Sequence, residues 1–225
     1  MTTSGTTSFA PDNLEIIEEA FDLAGIEGRT GQDYVSAIRS LNILQQEWAN
    51  EGINLWTLDE GTISFTAGED TYSLPVDTID ILEHHIRTGT GTSQVDYRLQ
   101  RIPVSRYSDL VNKNTLGRPT QIFVRRLSSP EIRVYPTPDT TYTLVYWRLR
   151  RIQDAGGGGN TLDMPLRFVP AMISGLAYKI ALKNPDKVPL ERLAVLKSEY
   201  STQLEAAKEE DRDRASFFVR PKGRV

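Results

Sequence analysis

The spacing of hydrophobic residues changes twice along the chain, and these changes predict a helical, then β, then helical order. Between Thr30 and Ala49, apolar residues recur at steps of three and four, which is a helical period. These residues are Tyr34, Val35, Ile38, Leu41, Leu44 and Trp48. After Gly52 the pattern changes to the alternation of a strand, from Thr62 to Thr66. Thr30–Pro75 is therefore predicted to pass from a helical layer into a β layer, through a hairpin that closes on Tyr72–Pro75.

Two helices are predicted in the amino-terminal part of the chain. Thr30 is the expected N-cap of the helix just described, with Asp33 three residues on. The earlier helix is expected over Asp12–Ala24, where Asp12 and Glu15 have capping-box spacing. Its predicted buried residues are Leu14, Ile17, Phe21 and Ala24. The short loop between the two helices favours an antiparallel pair.

Two more helices are predicted near the carboxyl end. One spans Pro165–Lys183, and Asn184–Pro185 ends it. The other begins at Pro189 and places its apolar residues at helical spacing up to Ala207. Those residues are Leu190, Leu193, Leu196, Tyr200, Leu204 and Ala207.

Short strands separated by turn residues are predicted between Leu58 and Arg151, with one short helix over Val104–Lys113. The expected fold class is therefore α+β: a bundle of amino- and carboxyl-terminal helix pairs, an inserted antiparallel β-rich region, and an extended carboxyl-terminal tail. The expected organisation is an arm and helix pair over residues 1–57, the β insertion over 58–155, the second helix pair over 156–214, and the tail over 215–225.

Charge is distributed unevenly along the chain, although the total is only −4. Residues 1–60 carry 2 basic and 11 acidic side chains, whereas residues 156–225 carry 12 basic and 9 acidic ones. An acidic amino end and a basic carboxyl end suggest head-to-tail contact between subunits or directional docking on a partner. Solvated faces that differ in charge by accident remain the alternative.

Composition disfavours most catalytic and membrane functions. Apolar runs stay shorter than the roughly 20 residues that a membrane span needs, and the first residues, expected to form a flexible arm, do not read as a signal peptide. Cysteine is absent, and the adjacent His84 and His85 point to opposite faces of a strand, where they cannot share a metal. The phosphate-loop, dinucleotide and serine-hydrolase motifs are missing as well. We expect no cofactor, no metal and no enzymatic activity.

An apolar cluster beyond the last helix is the strongest candidate for binding. Phe217, Phe218 and Val219 lie among basic residues. The cluster either folds back onto the chain's own core or anchors in a pocket of another protein. In the second case Arg214, Arg220, Lys222 and Arg224 would meet an acidic rim or DNA phosphates.

The order of several short motifs resembles the head-to-tail adaptors (tail accessory factors) of short-tailed bacteriophages. The resemblance covers roughly Thr30 to Phe218, and the order of the motifs, more than any one of them, carries it. The matching residues are Trp48, Gly52, Asn54, Trp56, Tyr72, Leu74, Pro75, Gly117, Arg118, Pro119, Ile132, Val134, Tyr135, Pro136 and Pro138.

The resemblance implies a structural protein of the virion, assembled in the host cytoplasm as a ring, expected to be dodecameric. The ring would dock on the portal protein through the tail residues Arg214, Phe217, Phe218, Val219, Arg220 and Lys222. It would extend the channel that DNA crosses without sequence-specific binding, and offer a platform to tail proteins of the nozzle, tube or fibre. Trp48, Gly52, Trp56, Tyr72 and Pro75 would form a structural seam between bundle and β region.

Two other functions remain open at the level of sequence. Arginines recur on the predicted strands, so a nucleic-acid-binding accessory protein is the first alternative. They are Arg125, Arg126, Arg133, Arg148, Arg150 and Arg151. A wall-degrading enzyme of the tail is the second.

Overall fold

The computed structural model describes residues 5–27, 30–53 and 55–211, apart from the side chain of Leu55. The α+β class is confirmed, with 40% of residues helical and 26% in strands. The α-helices of the described part are α1 (Asn13–Ala24), α2 (Gly31–Asn50), α3 (Val104–Ser108), α4 (Val169–Lys183) and α5 (Leu190–Glu210). The strands are β1 (Leu58–Phe65), β2 (Thr71–Ser73), β3 (Thr78–Thr88), β4 (Val95–Arg98), β5 (Gln100–Arg101), β6 (Leu116–Gly117), β7 (Gln121–Arg125), β8 (Glu131–Tyr135), β9 (Thr137–Pro138) and β10 (Tyr142–Arg150).

The chain divides into two compact units. The helical unit joins the stretch that ends at Ile53 to the stretch that begins at Gln153, and the β unit spans Asn54–Ile152. The β unit is therefore inserted into the sequence of the helical unit.

The central helix of the helical unit is α4, because α1, α2 and α5 all pack against it. Its sequence is apolar on most sides, and nine of its residues are buried. The predicted pairing of α1 with α2 is a minor contact by comparison. The two capping boxes are confirmed: Asp12 with Glu15 begins α1, and Thr30 with Asp33 begins α2.

Several details of the predicted helices are wrong. Leu14, Val35 and Leu190 were expected in buried stripes but are 40%, 50% and 80% exposed. In α1 the buried positions begin at Asn13 and Ile16, because α1 packs against α4 and its first N–H groups bond the carbonyls of Gly158 and Asn160. The predicted helix at Val104 ends at Ser108, after five residues. The predicted helix at Pro165 begins as a short 3-10 turn and becomes α-helical at Val169.

The β unit contains two four-stranded sheets around one core. Their strand orders are β1-β10-β3-β4 and β2-β8-β7-β5, and β6 pairs with β9 separately. The pairs β5–β7 and β6–β9 are parallel, whereas the others are antiparallel. Buried side chains from both sheets form the core, among them Phe65, Ile86, Ile132 and Leu144. The β unit is thus stabilised as a sandwich.

The predicted hairpin that closes on Tyr72–Pro75 is wrong. Strand β1 pairs with β10, whereas β2 pairs with β8 in the other sheet. The Phe65 and Tyr72 rings stack at 4.4 Å in the core, so the chain crosses from one sheet to the other at this point. The Tyr72 hydroxyl fixes this crossing, because it accepts from the Thr66 N–H at 3.0 Å and donates to the Glu69 carbonyl at 2.8 Å.

Candidate assembly surfaces

Five of the six arginines that recur on the predicted strands lie beside carboxylates: Arg125, Arg126, Arg133, Arg148 and Arg150. Arg148 donates to Asp77 at 2.6 Å and to Asp59 at 3.3 Å, and Arg150 approaches the same Asp59 at 3.1 Å. The bond from Arg148 holds the pKa of the Asp77 carboxyl below its usual range. This group ties β1 and β10 to the turn before β3.

A second set of pairs joins the two sheets of the β unit. Arg101 and Arg126 each lie 2.7 Å from Asp80 of β3, and the Asp80 side chain is only 15% exposed. Within the second sheet, Arg125 of β7 and Arg133 of β8 share Glu131 of β8. The arginine pattern in the sequence therefore builds cross-strand ion pairs, which leaves less positive charge for DNA phosphates.

The two adjacent histidines lie in different environments, as strand alternation predicts. His84 is 6% exposed, and burial is the main cause that lowers its pKa. The Nε2 of His85 lies 3.1 Å from the Asp96 carboxylate on β4. Within the described ranges, the structure contains no group of three or more His, Cys, Asp or Glu that could hold a metal ion.

Trp48 is a central residue of the helical unit. It is fully buried, it contacts the Phe168 ring at 5.6 Å, and its Nε1–H donates to the Tyr200 hydroxyl at 2.9 Å. Close packing surrounds this bond: a Cβ added at Gly175 would lie 2.8 Å from the Tyr200 ring and 2.9 Å from Leu44. Helices α2, α4 and α5 therefore meet here with no space for an extra methyl group.

The other proposed seam residues are distributed over both units. Gly52 follows α2 with a φ of +79°, which is the left-handed geometry of a residue just past a helix end. Trp56 lies in a short 3-10 turn at the start of the β unit and is half-buried. Tyr72 belongs to the β core, and Pro75 is exposed. A shared seam of these residues stays a prediction.

Lys183 of α4 is bonded to oxygens of two serines on α2. Lys183 Nζ donates to Ser36 Oγ at 3.0 Å, to the Ser36 carbonyl at 3.2 Å and to Ser40 Oγ at 2.5 Å. Burial lowers the pKa of Lys183. Hydroxyl and carbonyl oxygens satisfy the ammonium group, so this contact is a structural link between the helices. The sequence pattern did not predict it.

The most distinctive surface of the helical unit is a groove along α1. Its rim carries Glu15, Glu18, Glu19 and Asp22, and its apolar surface includes Phe9 and Ile173. The groove encloses about 500 Å³, and the Phe9 side chain beside it is 72% exposed. The four carboxylates belong to α1, and the packing of α4 against α1 places Ile173 beside them. We call this surface the α1 groove.

The proposed docking residues Arg214, Phe217, Phe218, Val219, Arg220 and Lys222 lie outside the described residues. The last residue of the described part is Asp211, whose carboxylate accepts a hydrogen bond from Arg167 Nη2. Burial leaves the Asp211 side chain 7% exposed. The described part of the chain therefore ends at a fixed point beside the start of α4.

Comparison with known proteins adds a family. The family model described as SU10 adaptor protein matches residues 14–223. The chain belongs to the SU10 adaptor protein family. This agrees with the resemblance drawn from the sequence, at the level of a phage head–tail adaptor and a structural protein.

The other comparisons add little to the family. Among solved structures, a chain from "Neck of empty GTA particle computed with C6 symmetry" is similar at 8% sequence identity. The alignment covers 86% of this chain and 92% of that chain, with a TM-score of 0.26. A TM-score this low supports no inference about fold or function. The curated proteins give no match. In the part of the SU10 adaptor chain that the structure describes, no helix is long and apolar enough to cross a membrane.

Proposed function

We propose that this SU10 adaptor is a structural virion protein that forms a ring at the head–tail junction of a short-tailed phage. The ring docks on the portal protein, continues the DNA channel and offers a platform to downstream tail proteins. A dodecameric ring is the stoichiometry we infer from the resemblance. The observation that carries the proposal is the family match over residues 14–223.

The carboxyl-terminal segment is the proposed portal anchor. Phe217, Phe218 and Val219 supply apolar side chains, and Arg220 and Lys222 supply positive charge beside them. A segment that becomes ordered on binding spends part of its contact energy on that ordering, so each contact is modest. Repetition around a ring compensates, because each further contact is made at a high effective concentration.

The net charge of −4 supports a channel that DNA crosses without being held. The paired arginines of the β unit support the same function better than a nucleic-acid-binding one, since their charges are matched by Asp59, Asp77, Asp80 and Glu131.

Removal of Ala215–Val225 tests the docking proposal. The truncated protein is expected to keep its helical circular dichroism and its thermal midpoint, but to stop cosedimenting with portal rings of the same particle. A full-length Phe217→Ser, Phe218→Ser variant is the matched control for chain length, and it is expected to lose most of the binding. Cosedimentation that survives the truncation would exclude the carboxyl-terminal segment as the anchor.

A further inference from the structure

The α1 groove combines an apolar surface with an acidic rim. Ile173 and Phe9 give it apolar surface, and four carboxylates from α1 lie along it. Glu15 also accepts from the Asp12 N–H at 3.1 Å, and Glu18 accepts from the Tyr34 hydroxyl at 2.9 Å. These bonds hold two of the four carboxylates in place along the rim.

The carboxyl-terminal segment of the same chain has the complementary composition. Residues 212–225 carry five basic side chains and one acidic side chain, a net charge of +4, around the apolar Phe217–Val219. An aromatic pair flanked by arginine and lysine matches an apolar groove with an acidic rim.

The reach of the segment also fits. Asp211 is bonded to Arg167, which precedes the groove residue Ile173 by six positions. About two positions of 3-10 turn and four of α-helix correspond to roughly 10 Å along the axis. The six residues from 212 to 217 span up to about 20 Å when extended, so Phe217 can reach the groove from Asp211. Attachment through so short a connection gives a high effective concentration.

We propose that, in the unassembled protein, the α1 groove binds the carboxyl-terminal segment of its own chain through Phe217 and Phe218. The acidic rim binds the basic residues around this aromatic pair. The groove thereby covers an exposed aromatic segment until the protein assembles. This proposal is independent of the portal-docking proposal, in which the same aromatic residues bind the portal protein instead of the α1 groove.

A disulfide trap tests the proposal, because the natural chain has no cysteine. The variant carries Glu19→Cys on the groove and Ser216→Cys in the segment, which leaves Phe217 and Phe218 intact. We expect mild oxidation to give an intramolecular disulfide, seen as a faster monomer band on a non-reducing gel. The control pairs Ser216→Cys with Ser198→Cys, an exposed position on α5 outside the groove, and should remain uncrosslinked. A disulfide-linked dimer would assign the groove to a second copy of the chain and would overturn the proposal. Equal crosslinking in both variants, or no crosslinking in either, would overturn it as well.

A peptide titration measures the same contact without engineered cysteines. A fluorescent peptide of residues 212–225 is titrated with protein truncated after Asp211, and fluorescence anisotropy should show saturable binding that weakens with added salt. A peptide with Phe217→Ser and Phe218→Ser should bind at least about tenfold more weakly. The intact peptide should show a similar loss of affinity for a Glu18→Lys, Glu19→Lys protein whose thermal midpoint is unchanged. Equal affinity of the two peptides, or no binding, would overturn the proposal. Neither experiment contains portal protein. Failure of either experiment therefore leaves the portal-docking proposal untouched.

Discussion

At the scale of single residues, the contact between Trp48 and Tyr200 links α2 to α5 across the helical unit. Periodicity placed both residues on apolar stripes, and the burial of Trp48 confirms its part of that prediction. The hydrogen bond itself could not be predicted, because 152 positions of sequence separate donor and acceptor. It forms since a fully buried indole N–H needs an acceptor, and Tyr200 is the residue that the packing of α5 brings to it.

Removal of the Tyr200 hydroxyl should therefore destabilise the protein. A Tyr200→Phe variant leaves the Trp48 N–H without this acceptor, which costs about 1–3 kcal/mol of unfolding free energy. Urea denaturation followed by tryptophan fluorescence measures the change. Tyr178→Phe, at a half-buried position of α4, is the control and should lose less. Equal losses in the two variants would contradict a special role for the bond.

His84 gives the stability of the β unit a dependence on pH. Its pKa in the folded protein lies below the unfolded value of about 6.5, chiefly because of burial. As pH falls through 6.5, the unfolded chain takes up the proton first, so the unfolding free energy decreases. The contribution of His84 is complete above the unfolded pKa and is lost below it.

The sign can be tested with a single substitution. Between about pH 7.5 and about pH 5.5, the wild-type protein should lose more unfolding free energy than His84→Gln does, because only the wild-type carries this titrating group. Urea denaturation at each pH gives the two differences. Comparing differences within each protein removes the cost of the substitution itself. A wild-type loss no larger than that of the variant would show that His84 is not the group responsible.

At the scale of elements, the arginines on the strands of the β unit form ion pairs with carboxylates of other strands. Alternation predicted the arginines on strands, but it gave no information on which carboxylates would lie opposite. Asp80 on β3 receives Arg101 and Arg126, one of which belongs to β5 while the other follows β7. These partners come together only because two sheets stack around one core.

The paired arginines predict weak binding to DNA. The purified protein should pass through a column of immobilised double-stranded DNA at about 50 mM salt, where binding that depends on phosphate contacts is strong. An Asp80→Asn variant frees Arg101 and Arg126 from their carboxylate and should be retained slightly, in a manner abolished by salt. Thermal unfolding checks that the variant is folded. Strong, salt-dependent retention of the wild-type protein would support the nucleic-acid-binding alternative.

At the scale of the whole molecule, one unit is inserted into the chain of the other. The helical unit is built from both ends of the sequence, and the Ala155 N–H donates to the Asn42 side chain on α2 at 2.8 Å. Gly52 follows Asn42 by ten positions, or about 15 Å of helix. The two points at which the β unit is attached are therefore close enough for a short connection.

The helical unit should then fold without the β unit. In a first variant, a Gly-Ser linker of about eight residues replaces residues 54–152. The linker spans roughly 15 Å and should keep the bundle intact. Circular dichroism should show a largely helical protein with a cooperative thermal transition. A second variant with the same linker and Leu44→Asp in the core is the control and should not fold. Absence of helical signal in the first variant would mean that the bundle depends on the β unit.

The sequence by itself determined the class and order of the elements, because periodicity and capping act over a few residues. The helix starts at Asp12 and Thr30, the end near Gly52 and the β region between the helix pairs were all readable in this way. Its motif order also indicated the adaptor family, which the family match then established.

Tertiary structure alone decided which elements meet. It made α4 the central helix, sent β1 and β2 into different sheets, paired the arginines with carboxylates, and placed Ile173 beside the acidic face of α1. The physical reason is that these contacts join residues far apart in the chain, and their positions follow from how whole faces pack together. No local pattern encodes the partner of a buried face, so the α1 groove became visible only in the folded protein.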